Sequence, residues 1–240
     1  MTYTTRDLFD VAKLPAPLAA FLETCPTPLE ALNRLPELLQ FKGQTIKGTV
    51  QDGAVLQGDI WIEEGAFVHA GAVLEGPVYV GKNTKVGPHA SLRNGVYLGD
   101  ECVIGHGADI KNTLAVHGAK IQINTFAGDS VLGRGARVGS GAVLSNRKFN
   151  QTNIKVDFGN GPIDSQRDFL GAFLGDQSRV GANVTLSPGS IVGAYTWIGS
   201  GCVIQGSVPA DSLVTVKQEL DVKPKPRTEL KSGLGEYYTM

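Results

Sequence analysis

The stretch VQDGAVLQGDIWIEEGAFVHAGAVL, residues 50 to 74, carries an aliphatic side chain at every sixth position. The same spacing continues to Val116, resumes at Leu132 and returns again at Leu174. A small or β-branched residue commonly stands two positions before each aliphatic one, as Ala66 does before Val68. A short fixed period of this kind decides the architecture before any local propensity is considered. The aliphatic positions are Val50, Leu56, Ile62, Val68, Leu74, Val80, Val86, Leu92, Leu98, Ile104, Ile110, Val116, Leu132, Val138, Leu144, Leu174, Val180, Leu186, Val192, Ile198 and Ile204.

A period of six fits a short strand followed by a tight turn, and it fits neither a helix nor a hairpin. Glycine, asparagine and aspartate supply the positive φ values that such turns need, and the chain contains 31 glycines. Three strands close one triangular coil, and coils stack at the strand spacing of roughly 4.8 Å. The pattern therefore predicts an all-β fold, a left-handed parallel β-helix of about seven coils, with the aliphatic ladder inside.

The period also divides the chain into segments. Residues 1–43 lack it and are predicted to form a helical cap over the open N-terminal end of the β-helix, with a capping box at Thr27–Glu30. Residues 44–212 form the β-helix. The polar stretch 146–171 is predicted to be a loop excursion between coils, where binding residues commonly lie. Residues 213–240 form a C-terminal tail.

Composition limits the function classes. The 22 basic and 23 acidic side chains nearly cancel, which argues against nucleic acid or an anionic membrane as partner. Three widely spaced cysteines do not suggest a disulfide framework. No apolar run approaches the ~20 residues of a membrane span, and no signal pattern opens the chain. We expect a cytoplasmic protein.

The stretch ADIKNTLAVHGAKIQINTFAGDSVLGRGARVGSGAVLSN, residues 108 to 146, resembles a stretch of the hexapeptide-repeat acyltransferase family. The similar region is the C-terminal acetyltransferase domain of sugar-1-phosphate nucleotidyltransferases, the type that includes the bifunctional N-acetylglucosamine-1-phosphate uridyltransferase. The resemblance covers roughly residues 44–212. It includes no nucleotidyltransferase domain with its glycine-rich loop, so pyrophosphorylase chemistry is not expected. A shared fold alone does not establish an activity.

The resemblance implies a homotrimer that binds acetyl-CoA between neighbouring subunits and acetylates a sugar phosphate or nucleotide sugar. In the family a histidine acts as the base, and acidic, tyrosine, asparagine and lysine residues place the sugar phosphate. By position, the acidic residue is Asp109. The positions implied for substrate binding are Lys111, Asn112, Phe126, Asn146 and Lys155. Phe126 stands where the family has tyrosine, and so lacks the hydroxyl group.

The family histidine is replaced by Ile123. We expect this isoleucine to be a buried aliphatic residue that cannot accept a proton, and loss of a general base typically costs about two to four orders of magnitude in rate. His117, six residues earlier, is the best candidate for a relocated base, with Asp109 as a second catalytic candidate. A plain turn histidine and a carboxylate paired with Lys111 are the alternatives for these two residues.

Three functions therefore stay open. The first is CoA-dependent acyl transfer with a rearranged base. The second is a catalytically inactive homologue that binds a sugar phosphate or serves as a scaffold. The third is a metal-dependent lyase of the gamma carbonic anhydrase type, because His69, His89 and His106 follow the same corner of successive coils. Their different offsets in the turn argue against convergence, and no metal is expected.

Overall fold

The computed structural model describes residues 2–227, and these form a parallel β-helix with three flat faces. Each face is a stack of two- or three-residue strands, and each strand pairs in parallel with strands of adjacent coils. Nine strands make up the second face, so there are nine coils, the last one incomplete. The predicted left-handed β-helix is confirmed, with more coils than the seven expected.

The strands of the first face are Gln44–Ile46, Ile60–Ile62, Val78–Val80, the second half of Ser91–Leu98, the second half of Asp109–Ala115, Val131–Leu132, Phe173–Leu174, Ile191–Val192 and Ser207–Val208. Those of the second face are Thr49–Val50, Phe67–Val68, Lys85–Val86, Val103–Ile104, Lys120–Ile121, Arg137–Val138, Arg179–Val180, Trp197–Ile198 and Leu213–Val214. Those of the third face are Val55–Gln57, Val73–Glu75, the first halves of Ser91–Leu98 and Asp109–Ala115, Phe126–Gly128, Val143–Leu144, Thr185–Leu186 and Val203–Ile204.

The interior is filled by the aliphatic ladder and its small partners, including the buried thiols of Cys102 and Cys202. The ladder departs from the predicted register at one place. Leu92 and Leu98 pair with Ile110 and Ala115 of the following coil. The corner between the third and first faces is therefore one residue shorter in the following coil. Ala115 therefore points inward. Val116, predicted as a core position of the β-helix, is buried instead in a second apolar cluster outside it.

That second cluster covers the outside of the first face. Outward apolar side chains of the strands contact the N-terminal helices and the hairpin of the excursion. The helices are Thr5–Leu8, Ala16–Glu23 and Pro28–Asn33, with 3₁₀ turns at Val11–Lys13 and Leu35–Leu39, and the hairpin strands are Lys155–Asp157 and Pro162–Asp164. The buried outward residues include Leu114, Val131, Phe173 and Ile191. The Thr27 hydroxyl caps its helix by accepting the N–H of Glu30, which is one of the two hydrogen bonds of the predicted capping box.

The N-terminal segment was predicted to cover the open end of the β-helix. It lies along the first face instead. Its first helix lies beside a late coil, where the Asp176 N–H donates to the Leu8 carbonyl at 2.8 Å. The inward side chains of the first coil, Val50 and Leu56, stay half-buried. The N-terminal segment packs on a row of outward apolar residues of the first face, and removing this surface from water stabilises the arrangement.

Candidate functional site

The Asp129 carboxylate accepts hydrogen bonds from four side chains, and three of these belong to residues predicted to bind substrate. Asp129 is 2% exposed and accepts hydrogen bonds from the side-chain amides of Asn112 and Asn146, each at 2.7 Å. Its oxygens also accept from Lys111 Nζ at 3.4 Å and from an Arg167 guanidinium nitrogen at 3.2 Å. Asn146 and Arg167 belong to the excursion, so Asp129 fastens both of its ends to the β-helix.

We call Asp129 and its four donors the Asp129 cluster, and the aromatic ring of Phe169 packs against it. Lys111 Nζ lies 4.1 Å from the ring centroid of Phe169, and the Arg147 guanidinium lies 4.7 Å from the same ring. Arg167 also reaches Asn33 of the third helix at 3.1 Å. A buried carboxylate needs this many donors, because an unpaired buried charge is strongly destabilising. Arg167 and Phe169 were not among the site residues predicted from the sequence.

The predicted substrate-binding residues therefore divide into groups. Lys111, Asn112 and Asn146 each donate a hydrogen bond to Asp129 in a partly buried cluster. Phe126 lies half-exposed on the third face, directly beside Asp109 in the next coil. Lys155 is exposed on the hairpin and does not join either. Substrate binding by these residues stays a prediction.

The two predicted catalytic residues lie on different parts of the β-helix. Asp109 is on the third face, where its carboxylate oxygens accept from Arg93 at 2.9 and 3.2 Å. That hydrogen bond raises the pKa of Arg93. His117 is at the corner between the first and second faces, with Nε2 at 3.7 Å from a Glu101 oxygen. The alternative partner for Asp109, Lys111, contacts Asp129 instead.

Ile123 is exposed, at 47% of its surface, and not buried as expected. It stands at the corner between the second and third faces, in the middle of the turn, where side chains point to solvent. The residue at the same turn position one coil earlier is His106. The N–H of Asn124 donates to the His106 carbonyl at 2.9 Å, and Ile104 pairs with Ile121. His106 therefore lies about 5 Å along the stack from position 123, where the resemblance implies a histidine.

The same turn position recurs in successive coils along this corner, and the residues at it in the later coils are small. We call Pro88, His106, Ile123, Ser140, Ala182 and Ser200 the 2–3 ridge. Each backbone N–H that follows a ridge residue donates to the carbonyl of the ridge residue in the preceding coil, for example Asn183 to Ser140 at 3.0 Å. From its sequence position, His106 was predicted to lie just past this corner. The stacking of His106 on Ile123 was not predicted, because it depends on the coil that is one residue short.

The later part of the ridge borders a groove of about 600 Å³. Its second-face wall carries Arg137 and Arg179, followed by the indole of Trp197, which is 59% exposed. The outward positions of these strands are in register, since Arg137 pairs with Arg179 and Arg179 with Trp197. Cations and an aromatic ring along a strip of small residues suit a long ligand that ends in phosphates and a heterocycle.

The predicted histidine column only partly converges. The rings of His89 and His106 meet edge to face at 5.5 Å, while the His69 ring packs on Phe67 at 4.7 Å. Within residues 2–227 no group of three His, Cys, Asp or Glu side chains is placed to hold a metal ion.

Comparison with known proteins agrees with this architecture. Residues 74–159 match the family model described as the GMPPB C-terminal domain. The chain is 32% identical over 193 residues to the "Bifunctional protein GlmU" of Methanocaldococcus jannaschii, covering 80% of this chain and 47% of that protein. The chain is thus similar to the GlmU-type bifunctional proteins. The predicted resemblance is confirmed, and the chain spans about half the length of the curated relatives it matches.

Two further matches are of the same kind. The "Bifunctional sugar-1-phosphate nucleotidylyltransferase/acetyltransferase" of Sulfurisphaera tokodaii is 37% identical over 96 residues, which are 40% of this chain and 24% of that protein. A solved hexapeptide transferase family protein from Anaplasma phagocytophilum aligns with 44% of this chain and 72% of its own, at 19% identity and a TM-score of 0.36. The chain is an acyltransferase-like hexapeptide protein. Among the described residues, no helix is both long and apolar enough to cross a membrane.

Proposed function

We propose that this GlmU relative transfers an acyl group from a CoA thioester to a sugar phosphate or nucleotide sugar, with His106 as the general base. The observation that carries the proposal is the stacking of His106 on Ile123 at one end of a ridge whose other end borders a cationic groove. The resemblance supplies the reaction class, and the S. tokodaii relative is named as a bifunctional sugar-1-phosphate nucleotidylyltransferase/acetyltransferase.

The groove suits a CoA thioester on chemical grounds. Arg137 and Arg179 are positioned to pair with phosphates, and the exposed Trp197 ring offers a stacking surface for a heterocycle. The absence of bulky side chains at Ser140 and Ala182 leaves room for a flexible arm to run along the ridge towards Ile123. The acyl group would then arrive beside His106.

At that point His106 would take the proton from the acceptor's amine or hydroxyl as this atom attacks the acyl carbon, and the CoA thiolate would leave. Histidine is the side chain most often used for this step near neutral pH. His106 is exposed at the turn and so can reach an acceptor. Asp109, three residues on, is held by Arg93 and would orient the acceptor or the protonated imidazole.

Assembly as a homotrimer belongs to the same proposal. Outward apolar side chains stand bare on the second and third faces, with Val203 74% exposed and Leu213 71% exposed. A neighbouring copy packed against these faces would bury them and close the groove. Light scattering coupled to gel filtration should give three chains per particle, and a monomer would overturn this part.

Binding and catalysis are tested separately. Titration calorimetry with acetyl-CoA should show micromolar binding near one site per chain, and no binding would sink the acyl-transfer proposal. With amino-sugar phosphates as acceptors, release of the CoA thiol should then fall by about 10²- to 10⁴-fold in His106→Gln, with acetyl-CoA affinity kept. His69→Gln is the matched control and should retain the wild-type rate. The same loss in His117→Gln alone would identify His117 as the base.

A swap makes the positional argument sharper. The double variant His106→Ala, Ile123→His moves the imidazole by one coil. Its rate should lie within about tenfold of the wild-type rate, since both positions occupy the same place in the turn. Failure of the swap with a fully folded protein would count against the ridge as the site of proton transfer.

A second candidate function, an inactive homologue that binds a sugar phosphate or acts as a scaffold, is favoured by the Asp129 cluster. Three of the motif residues contact this carboxylate and so are engaged within the protein. Sugar-phosphate binding by calorimetry, without thiol release from any acyl-CoA, would support this second function over the first.

A further inference from the structure

A second ridge runs along the corner between the first and second faces. It consists of Lys82, Asp100, His117, Arg134 and Asp176, which we call the 1–2 ridge. The N–H groups that follow its members donate to the carbonyl of the previous member, as Gly118 does to Asp100 at 2.8 Å and Gly135 to His117 at 3.0 Å. This ridge lies on the opposite edge of the second face from the 2–3 ridge. His117 is the member that lines two separate hollows.

The first hollow has apolar and aromatic walls and a charged edge. It has a volume of about 360 Å³ and lies between the N-terminal helices and the first face, lined by Leu18, Leu38 and the rings of Tyr79 and Tyr97. Lys82 and Asp100 of the 1–2 ridge line it together with His117. The two tyrosine rings stack with centroids 4.6 Å apart and planes within 10°. Burial raises the pKa of both hydroxyls, that of Tyr79 to about 12. A space with such walls fits a planar ring.

The second hollow is cationic. Also about 360 Å³ in volume, it lies on the second face and is lined by Lys120, Arg134 and Arg179, with Glu101 the one carboxylate among its lining residues. Within residues 2–227, no carboxylate lies within 4.0 Å of Lys120 or Arg179. Arg134 Nε is buried without a hydrogen-bond partner, and its contact with Asp176 is 3.5 Å long. Lys120 and Arg179, which have no carboxylate partner, lie with Arg134 around one opening and suit a phosphate or diphosphate.

We propose that the two hollows form one site, joined at His117, for a nucleoside diphosphate. The ring would occupy the tyrosine-walled hollow, and the phosphates would lie over Gly118 and Gly135, whose lack of side chains leaves the ridge low between them. His117 would sit against the junction and turn from Glu101 to the phosphate. The site goes beyond the proposed acyl transfer and shares with its groove only Arg179.

Calorimetry with UDP, uridine and pyrophosphate tests whether both hollows act together. UDP should bind with a micromolar Kd, and each fragment should bind at least tenfold more weakly. Lys120→Ala should weaken UDP by about tenfold or more, whereas Lys85→Ala should not, although Lys85 lies in the same outward column two coils away. No binding of UDP, pyrophosphate binding as tight as UDP, or equal losses in both variants would overturn the proposal.

Two further arms locate the ligand. Leu38→Trp fills the aromatic hollow and should abolish UDP binding while leaving pyrophosphate binding unchanged, with the melting temperature checked for folding. UDP should also bind undiminished to Arg137→Ala, since Arg137 borders only the acyl groove. Loss of UDP binding in Arg137→Ala but not in Lys120→Ala would place the nucleotide in that groove and refute the second site.

Discussion

The segment INTFAGDS, residues 123–130, has two ends in opposite environments. Ile123 stands at an exposed turn of the 2–3 ridge, at the position where the family resemblance implies a histidine, while Asp129 lies buried under four donors. The end that matches the motif is occupied with holding the excursion in place. The end that departs from it remains accessible, beside His106. Agreement with a motif therefore indicates shared architecture here, whereas chemistry depends on which groups reach solvent.

The largest effect on stability is expected at the buried end. Asp129→Ala leaves Lys111 and Arg167 without their counter-charge in a partly buried cluster, and should lower the free energy of unfolding by about 3–5 kcal/mol. Urea denaturation measures this. The control is Asp109→Ala, which breaks the more exposed pair with Arg93 and should cost about 1 kcal/mol or less. Equal losses would mean that Asp129 is not the anchor of the excursion.

A pH-dependent effect of intermediate size is expected at Asp176. Burial raises the pKa of this carboxyl, although the backbone N–H groups of Asp10 and Arg134 oppose the rise. A raised native pKa gives stability that is complete below the unfolded pKa of about 3.9 and is lost as the pH rises through the native value. Asp176→Asn should therefore gain stability relative to wild type from pH 4 to pH 7, by about 1.4 kcal/mol per unit of pKa difference.

The measurement is the difference in unfolding free energy between Asp176→Asn and wild type at several pH values. A difference that moves in the opposite direction would show that Arg134 and the backbone donors outweigh burial, and that Asp176 is held as a charged group.

The smallest effect is expected at the exposed end. Ile123→Ser should change the free energy of unfolding by no more than about 0.5 kcal/mol, because the side chain points to solvent. Ile121→Ala, two residues away but inside the β-helix, should cost about 2–5 kcal/mol. A large loss in Ile123→Ser would mean that this turn is buried by a neighbouring subunit, which light scattering on the variant would confirm as dissociation.

Much of the fold could be predicted because the six-residue period records which side chains point inward. The shorter corners could not, since Asn112 and Asp129 adopt positive φ in the middle of otherwise ordinary sequence. One missing residue moves Ala115 inward and places Val116 under the helices. The break in the count between Val116 and Leu132 signals a slip, but it does not show whether Ala115 or Val116 points inward, because both residues are apolar.

The candidate site was predictable only in part, for the same reason. The motif identified Lys111, Asn112 and Asn146, but their common partner Asp129 is evident only when the coils are stacked. Outward apolar residues such as Phe173 and Ile191 were a signal that the first face is covered, yet the sequence does not say by which segment.

By itself, the sequence determined the β-helix, its inward ladder and the residue types available at each turn. These follow from local periodicity and from residue type. The tertiary structure decided that His106 stacks on Ile123, that Asp129 gathers the motif residues, and that the N-terminal helices lie along a face. Each of these depends on contacts between coils far apart in the chain, and the register of those contacts shifts with a single residue of coil length.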